Sequence, residues 1–188
     1  MRNKLRVLAL TIGCLLSILM PAAAQEETSK PFDAYKVKAV FLYNFTKFVK
    51  WPDGYSLATT HSANVCIYGD NPFEGKLDIL EKVSSAELAF HVKKNVSVSD
   101  FPQCQILFVS KSEAGNIEQV IADTKKRPIL TVSDIDGFAA KGGVIEMKKS
   151  ENNIGKESIK LIINLESADA KNLEIDAQCL AIAAEVIK

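Results

Sequence analysis

Polar side chains follow three apolar segments of the sequence that each predict a buried β-strand. The carboxyl ends of parallel strands meet at one edge of a sheet, where α/β proteins commonly bind ligands. The six candidates for such a crevice are Gly69, Asp70, Asn71, Ser110, Ser133 and Asp134. Because the same residue types are common in ordinary turns, a ligand crevice and a plain set of loops both remain open.

Patterns typical of catalytic or metal centres are missing from the sequence. The two histidines, His61 and His91, are thirty residues apart and show no ligand spacing such as H-x-x-x-H. The sequence has no C-x-x-C pair, no glycine-rich phosphate loop and no G-x-S-x-G nucleophile turn. We therefore expect a protein that is not an enzyme and that holds neither a metal nor a cofactor.

Two short basic clusters occupy residues 125–127 and 148–149. The simplest interpretation is that both are solvated surface charges. Attraction to a membrane surface is the second interpretation of the same pattern.

The first 24 residues have the pattern of a secretory signal peptide. Arg2, Lys4 and Arg6 precede an apolar run over residues 7–20, and small residues lead to a predicted cleavage site after Ala24. The run is short for a membrane span. A lipoprotein signal ending at Cys14 is a weaker alternative, because the apolar run continues past that cysteine.

Removing this segment changes the charge and the cysteine content. The full chain of 188 residues has 23 basic and 23 acidic residues, and three of the basic residues lie before the cleavage site, so 164 residues with a net charge of −3 remain. That balance disfavours nucleic acid as a partner. The remaining cysteines, Cys66, Cys104 and Cys179, indicate one disulfide and one free thiol in an exported protein.

Periodicity predicts a single three-layer α/β domain over residues 32–188, after a disordered lead-in over residues 25–31. The predicted helices are residues 33–50, 72–83, 117–126, 166–171 and 175–187. The predicted strands are residues 65–68, 88–92, 105–109, 128–132, 144–147 and 158–163. This alternation favours a largely parallel sheet flanked by helices, and the last two strands predict a late antiparallel hairpin.

Aromatic residues are concentrated near the start of the predicted domain. Eight of the fourteen lie within residues 32–55. Phe41, Phe45 and Phe48 share one face of the first helix and are expected in the core. Tyr43 and Trp51 are the candidates for a partner surface, because these two residue types are enriched at protein interfaces.

The order of several motifs identifies a family resemblance. Residues 36–52 (KVKAVFLYNFTKFVKWP) resemble the opening segment of the YfiR-like family of exported bacterial proteins. Residues 66–73 (CIYGDNPF), 104–109 (CQILFV) and 129–134 (ILTVSD) are similar to later family motifs and follow in the same order. The resemblance covers about residues 35–185.

This resemblance implies a periplasmic repressor that binds the periplasmic region of an inner-membrane diguanylate cyclase and lowers cyclic-di-GMP, a regulator of biofilm formation. It implies an OmpA-like outer-membrane lipoprotein as the partner that relieves repression, and a homodimer is a further candidate assembly. Cys66 and Cys104 fall on family positions that can form a disulfide. A second cysteine pair near the hairpin is absent here, since residues 140–165 contain no cysteine. The alternative is a periplasmic small-molecule binding module that serves another sensor or a transport system.

Overall fold

The structure is a computed structural model that describes residues 31–188, so the predicted signal peptide and nearly all of the lead-in lie outside the described residues. The helices are α1 Ala34–Phe48, α2 Leu57–Thr60, α3 Asp78–Lys82, α4 Ile117–Thr124, α5 Leu165–Asp169 and α6 Ala177–Ala181. The strands are β1 Val49–Lys50, β2 Ser62–Tyr68, β3 Ala89–Lys93, β4 Ile106–Val109, β5 Leu130–Ser133, β6 Ile145–Glu151, β7 Glu157–Asn164, β8 Glu174–Ile175 and β9 Glu185–Ile187.

Seven of these strands form one sheet in the order β3-β2-β4-β5-β6-β7-β9. Neighbouring strands are parallel except β6 and β7, which form the predicted antiparallel hairpin. The strand order reverses between β2 and β4, because the chain moves from β2 to one side and then returns to the other. β1 and β8 form a separate two-stranded ribbon.

Apolar residues fill both faces of the sheet. The larger cluster packs α1 against one face and includes Leu42, Phe45 and Phe108. The other cluster lies beneath α4 and includes Leu107 and Val120. The neighbouring strand residues Leu107 and Phe108 thus point to opposite faces, as the two-residue period of a strand requires. The predicted three-layer α/β architecture is confirmed.

Helix α1 begins and ends close to the predicted positions. Asp33 precedes it, and its carboxylate accepts a hydrogen bond of 3.1 Å from the backbone N–H of Lys36. Such a cap satisfies one of the backbone donors left free at a helix start. The helix ends at Phe48 because Val49 is extended and pairs with Ile175 of β8.

The predicted helix over residues 175–187 is wrong. Asp176 caps only the short helix α6, and the chain then forms β9. Val186 pairs with Ile163 of β7, so the edge of the sheet fixes an extended conformation that local pattern does not reveal. Cys179 is buried as expected, whereas Ile182 of the same predicted stripe is 58% exposed.

A second predicted helix, residues 72–83, is divided in the structure. A 3₁₀ turn over Glu74–Leu77 precedes α3. Glu74 has a positive φ of 52°, which places it outside the right-handed helical region. The apolar residues Phe73, Leu77 and Leu80 are nevertheless buried, so the expected core contacts form without one continuous helix.

Candidate functional site

The predicted crevice lies at the point where the strand order reverses, but its loops are bonded to each other. The hydroxyl of Ser110 donates to the backbone carbonyl of Asp70, and the N–H of Asp70 donates to Ser112 Oγ at 2.9 Å. A Cβ atom on Gly69 would lie 2.4 Å from the same Ser112 oxygen. The Asn71 side chain accepts from the N–H of Phe73 at 3.1 Å. The Ser110, Ser112 and Asn71 side chains therefore hold these loops together, and Asp70 takes part through its backbone.

Ser133 is also used internally. Its hydroxyl donates to the carbonyl of Val109 at 2.7 Å and accepts from the N–H of Ile135 at 3.0 Å. Both bonds are buried, and they tie β4 to the segment after β5. A hydroxyl in this position stabilises the strand end and is not free to bind a ligand.

Asp134 lies beneath the first turns of α1, not in a crevice. Its Oδ2 atom accepts from Lys38 Nζ at 2.5 Å and from the Tyr35 hydroxyl at 2.9 Å. The side chains of the lysine and the aspartate are only 4% and 2% exposed. Among the described residues, Asp134 Oδ1 is buried without a hydrogen-bond partner. This buried cluster of Tyr35, Lys38 and Asp134 anchors α1 to the carboxyl edge of the sheet.

The electrostatics of the buried cluster suit an anchor. Burial lowers the pKa of Lys38, and the hydrogen bond that its ammonium donates to Asp134 opposes that change. Burial, with the adjacent Asp134 carboxylate, raises the pKa of Tyr35 to about 12. The tyrosine therefore stays protonated near neutral pH and remains a donor to the carboxylate. General acid–base catalysis works best with a pKa near the operating pH, which Tyr35 does not have.

The sequence reasoning missed Tyr35 and Lys38. Lys38, Leu42 and Phe45 recur at spacings of four and three residues, and all three are buried on one face of α1. A lysine on an apolar helix face is a signal that a buried counter-charge is needed. The identity of that partner, Asp134, depends on a contact between residues 96 positions apart.

The outer face of α1 presents a stripe of Lys36, Val40, Tyr43 and Lys47, spaced four, three and four residues apart. Val40 is 51% exposed. The Tyr43 ring packs 5.5 Å from the ring of Phe90, and Lys47 Nζ lies 4.4 Å from the Tyr43 ring centroid. Tyr43 is therefore held in place while part of its surface stays accessible. The outer face of α1 has an apolar centre between two cations, which suits a protein interface.

Trp51 does not share this surface, contrary to the expectation from sequence. Its side chain is in the main core and is only 7% exposed. The pairing of Val49 with Ile175 carries the chain from α1 onto the β1–β8 ribbon and brings Trp51 inward. The indole N–H has no acceptor among the described residues. A partner could reach Trp51 only after local rearrangement.

The cysteines have separate roles. Cys66 on β2 and Cys104 before β4 form a disulfide with a Cα–Cα distance of 5.8 Å, and Cys179 is a buried free thiol. Burial raises the pKa of Cys179 to about 11, so this thiol is not an activated nucleophile. The disulfide lies in the core beneath α4 and joins β2 to the segment that leads into the adjacent strand β4.

The described residues show neither a metal-binding cluster nor a membrane-spanning helix. Residues 31–188 contain no group of three or more histidine, cysteine, aspartate or glutamate side chains that could hold a metal ion. None of the helices in that part of the chain is both long and apolar enough to cross a bilayer.

Comparison with solved structures places the fold among known α/β proteins. A conserved domain protein from Vibrio cholerae O1 biovar El Tor has a TM-score of 0.52 at 13% identity, over 81% of this chain and 60% of that one. The ABC domain of Streptococcus pneumoniae in complex with L-Trp has a TM-score of 0.53 at 10% identity, over 82% of this chain and 60% of that one. The chain thus spans about 60% of the length of each, and the likeness concerns the fold alone.

Comparison of sequences identifies the family. No protein with a curated description matches the chain significantly. The family model DUF4154, described as YfiR/HmsC-like, matches residues 35–184. This range includes α1 apart from its first residue, the disulfide, and six of the seven strands of the main sheet, and β9 follows directly after it. The chain therefore belongs to the YfiR/HmsC-like family.

Proposed function

We propose that the protein is a periplasmic regulator that binds the periplasmic region of an inner-membrane diguanylate cyclase and represses cyclic-di-GMP synthesis. Family membership supports this role, because the YfiR-like resemblance implies it for the matched region. The outer face of α1, with its apolar centre between two lysines, indicates which residues would contact the cyclase. Regulation then requires binding alone, and we propose that the protein has no catalytic activity of its own.

The proposed docking surface is argued from its composition and its rigidity. Val40 and Tyr43 supply apolar contact area, and Lys36 and Lys47 supply positive charge at the two ends. A complementary partner surface would be an apolar helix or ridge with acidic residues at its ends, because opposite charges steer association and fix register. The buried cluster beneath α1 holds this face in position before the partner arrives, which lowers the entropic cost of binding.

The activity of the cyclase would depend on whether this surface is occupied. A bound cyclase is repressed, and a second protein that takes up the regulator releases the cyclase. We propose an OmpA-like outer-membrane lipoprotein as that second protein, as the family resemblance implies. A homodimer that covers the same face would compete with both partners.

The alternative of a small-molecule binding module at the strand ends has less support. The hydroxyl of Ser133 and the loops at Asp70 and Ser110 are bonded within the protein, and Asp134 lies under α1. A ligand in that position would have to break these contacts and to displace α1.

Cyclic-di-GMP measurements in cells test the proposal. We expect deletion of the gene to raise cyclic-di-GMP and surface attachment, and the wild-type gene to reverse both changes. Val40→Glu should fail to complement, because it places a carboxylate in the apolar centre of the docking face. Ile79→Glu is the matched control, since Ile79 is 50% exposed but lies on α3. Unchanged cyclic-di-GMP on deletion, with the cyclase intact, would contradict the proposed function.

A further inference from the structure

A cavity of about 460 Å³ opens at the amino edge of the sheet, opposite the buried cluster. Its walls come from Tyr55 in the turn after β1, Pro102 before β4, and the end of α4 with the segment that leads to β5. The volume lies within the usual range for small-molecule sites. None of its lining residues belongs to the outer face of α1, so the cavity is independent of the proposed docking surface.

The charge of the cavity wall is predominantly positive. Lys125, Lys126 and Arg127 line it in succession, against the single carboxylate of Asp123. That carboxylate already accepts two hydrogen bonds of 3.1 Å from the side-chain amide of Gln119. The basic cluster, which the sequence predicts as solvated surface charge, thus forms one side of a concave site.

Arg127 is held at the rim of this site. Its Nε–H donates to the backbone carbonyl of Asp123 at 3.1 Å. Within residues 31–188 neither terminal nitrogen of its guanidinium has a hydrogen-bond or ion-pair partner. A guanidinium fixed through Nε can offer its terminal N–H groups to an oxyanion as a planar fork. The two lysines add point charges that favour a dianion over a monoanion.

The remaining walls of the cavity suit an apolar body. The Tyr55 side chain is 46% exposed and can stack on a planar or apolar group. Pro102 and Pro128 supply further apolar surface. Charge and apolar area therefore lie on different parts of one cavity, as the two ends of an amphipathic anion require.

We propose that this cavity binds an organic phosphate, in which the phosphate contacts Arg127 and the two lysines and the organic body packs near Tyr55. The same chemistry is offered by a soluble phosphate ester and by the headgroup of an anionic phospholipid. The proposal does not depend on the proposed regulatory function.

Titration of the purified exported protein tests the site with three probes: inorganic phosphate, phenyl phosphate, and vesicles of phosphatidylglycerol in phosphatidylcholine. We expect either phenyl phosphate to bind about tenfold more tightly than inorganic phosphate, or the vesicles to bind the protein. The first result identifies a soluble source and the second a lipid source. Amide chemical shifts of Tyr55 and Ile129 should change with the phenyl phosphate titration.

Charge-removal variants separate a defined site from diffuse attraction. Lys126→Gln with Arg127→Gln should weaken binding of the effective probe at least about tenfold. Lys148→Gln with Lys149→Gln removes the same charge from the exposed part of β6 and should have little effect. Thermal melts will show that both variants are folded, since all four residues are exposed. Absence of binding to every probe, or equal losses in the two variants, would overturn the proposal.

Discussion

Replacement of Asp134 by asparagine tests the role assigned to the buried cluster. The change leaves the Lys38 ammonium at the same place without its counter-charge, and the lysine side chain is only 4% exposed. Removing one partner of a buried ion pair costs about 3–5 kcal/mol of the free energy of unfolding, because the remaining charge is uncompensated. The tyrosine hydrogen bond is also weakened, since the amide oxygen is a poorer acceptor than the carboxylate.

A double variant tests whether the loss of stability comes from the unpaired lysine charge. Lys38→Met removes the charge while it keeps an unbranched side chain of similar length. We expect Lys38→Met with Asp134→Asn to recover most of the stability lost in Asp134→Asn, because no buried charge remains unpaired. Urea unfolding followed by fluorescence is well suited to this test, since Trp51 is the one tryptophan of the chain and is buried.

Two outcomes would refute this reasoning. A cost of less than about 1 kcal/mol for Asp134→Asn would mean that the lysine reaches water in the variant, because the cost of a buried unpaired charge is several times larger. A double variant as unstable as Asp134→Asn alone would show that the loss comes from some contact other than the ion pair.

Two further predictions concern other buried groups. Burial lowers the pKa of Lys171 to about 8, and its ammonium donates to the carbonyl of Thr124. The unfolded state therefore binds more protons between about pH 8 and pH 10.4, so the stability of the wild type relative to Lys171→Met should rise by about 3 kcal/mol across that window, measured by urea unfolding. A difference independent of pH would contradict the assigned burial. Replacing Cys66 and Cys104 by alanine should lower stability by about 4 kcal/mol, as expected for a closed loop of this length, and a loss below about 1 kcal/mol would contradict it.

The first helix and the central strands could be predicted because their signals are local. Asp33 is a cap residue, and Ala39, Leu42 and Phe45 mark the buried face of α1 within two turns. The apolar run that forms β4 is typical of a strand covered on both faces.

The C-terminal segment could not be predicted in the same way. Residues 175–187 have a helical pattern, but Val186 gains backbone hydrogen bonds and burial only from the edge of β7. Because its pairing partner lies more than twenty positions away in the sequence, the local hydrophobic periodicity does not reveal this strand. The side-chain cap at Asp176 explains why α6 starts there. The pairing of β9 with the edge strand β7 explains why the helix does not continue.

The candidate site was predicted in part. Tyr43 lies on the outer face of α1 and keeps part of its surface accessible. The burial of Trp51 depends on the ribbon formed by β1 with β8, and the role of Asp134 depends on Lys38 from α1. Both contacts join segments far apart in the chain, so residue type alone could not separate an anchor from a ligand site.

We propose that the outer face of α1 binds the periplasmic region of an inner-membrane diguanylate cyclase, and a binding titration tests this proposal most directly. Isothermal titration of the purified protein into that region should show saturable binding. Val40→Glu should raise the Kd at least about tenfold, while Ile79→Glu should leave it within about twofold. Absence of binding by the wild type, or equal effects of the two substitutions, would contradict the claim.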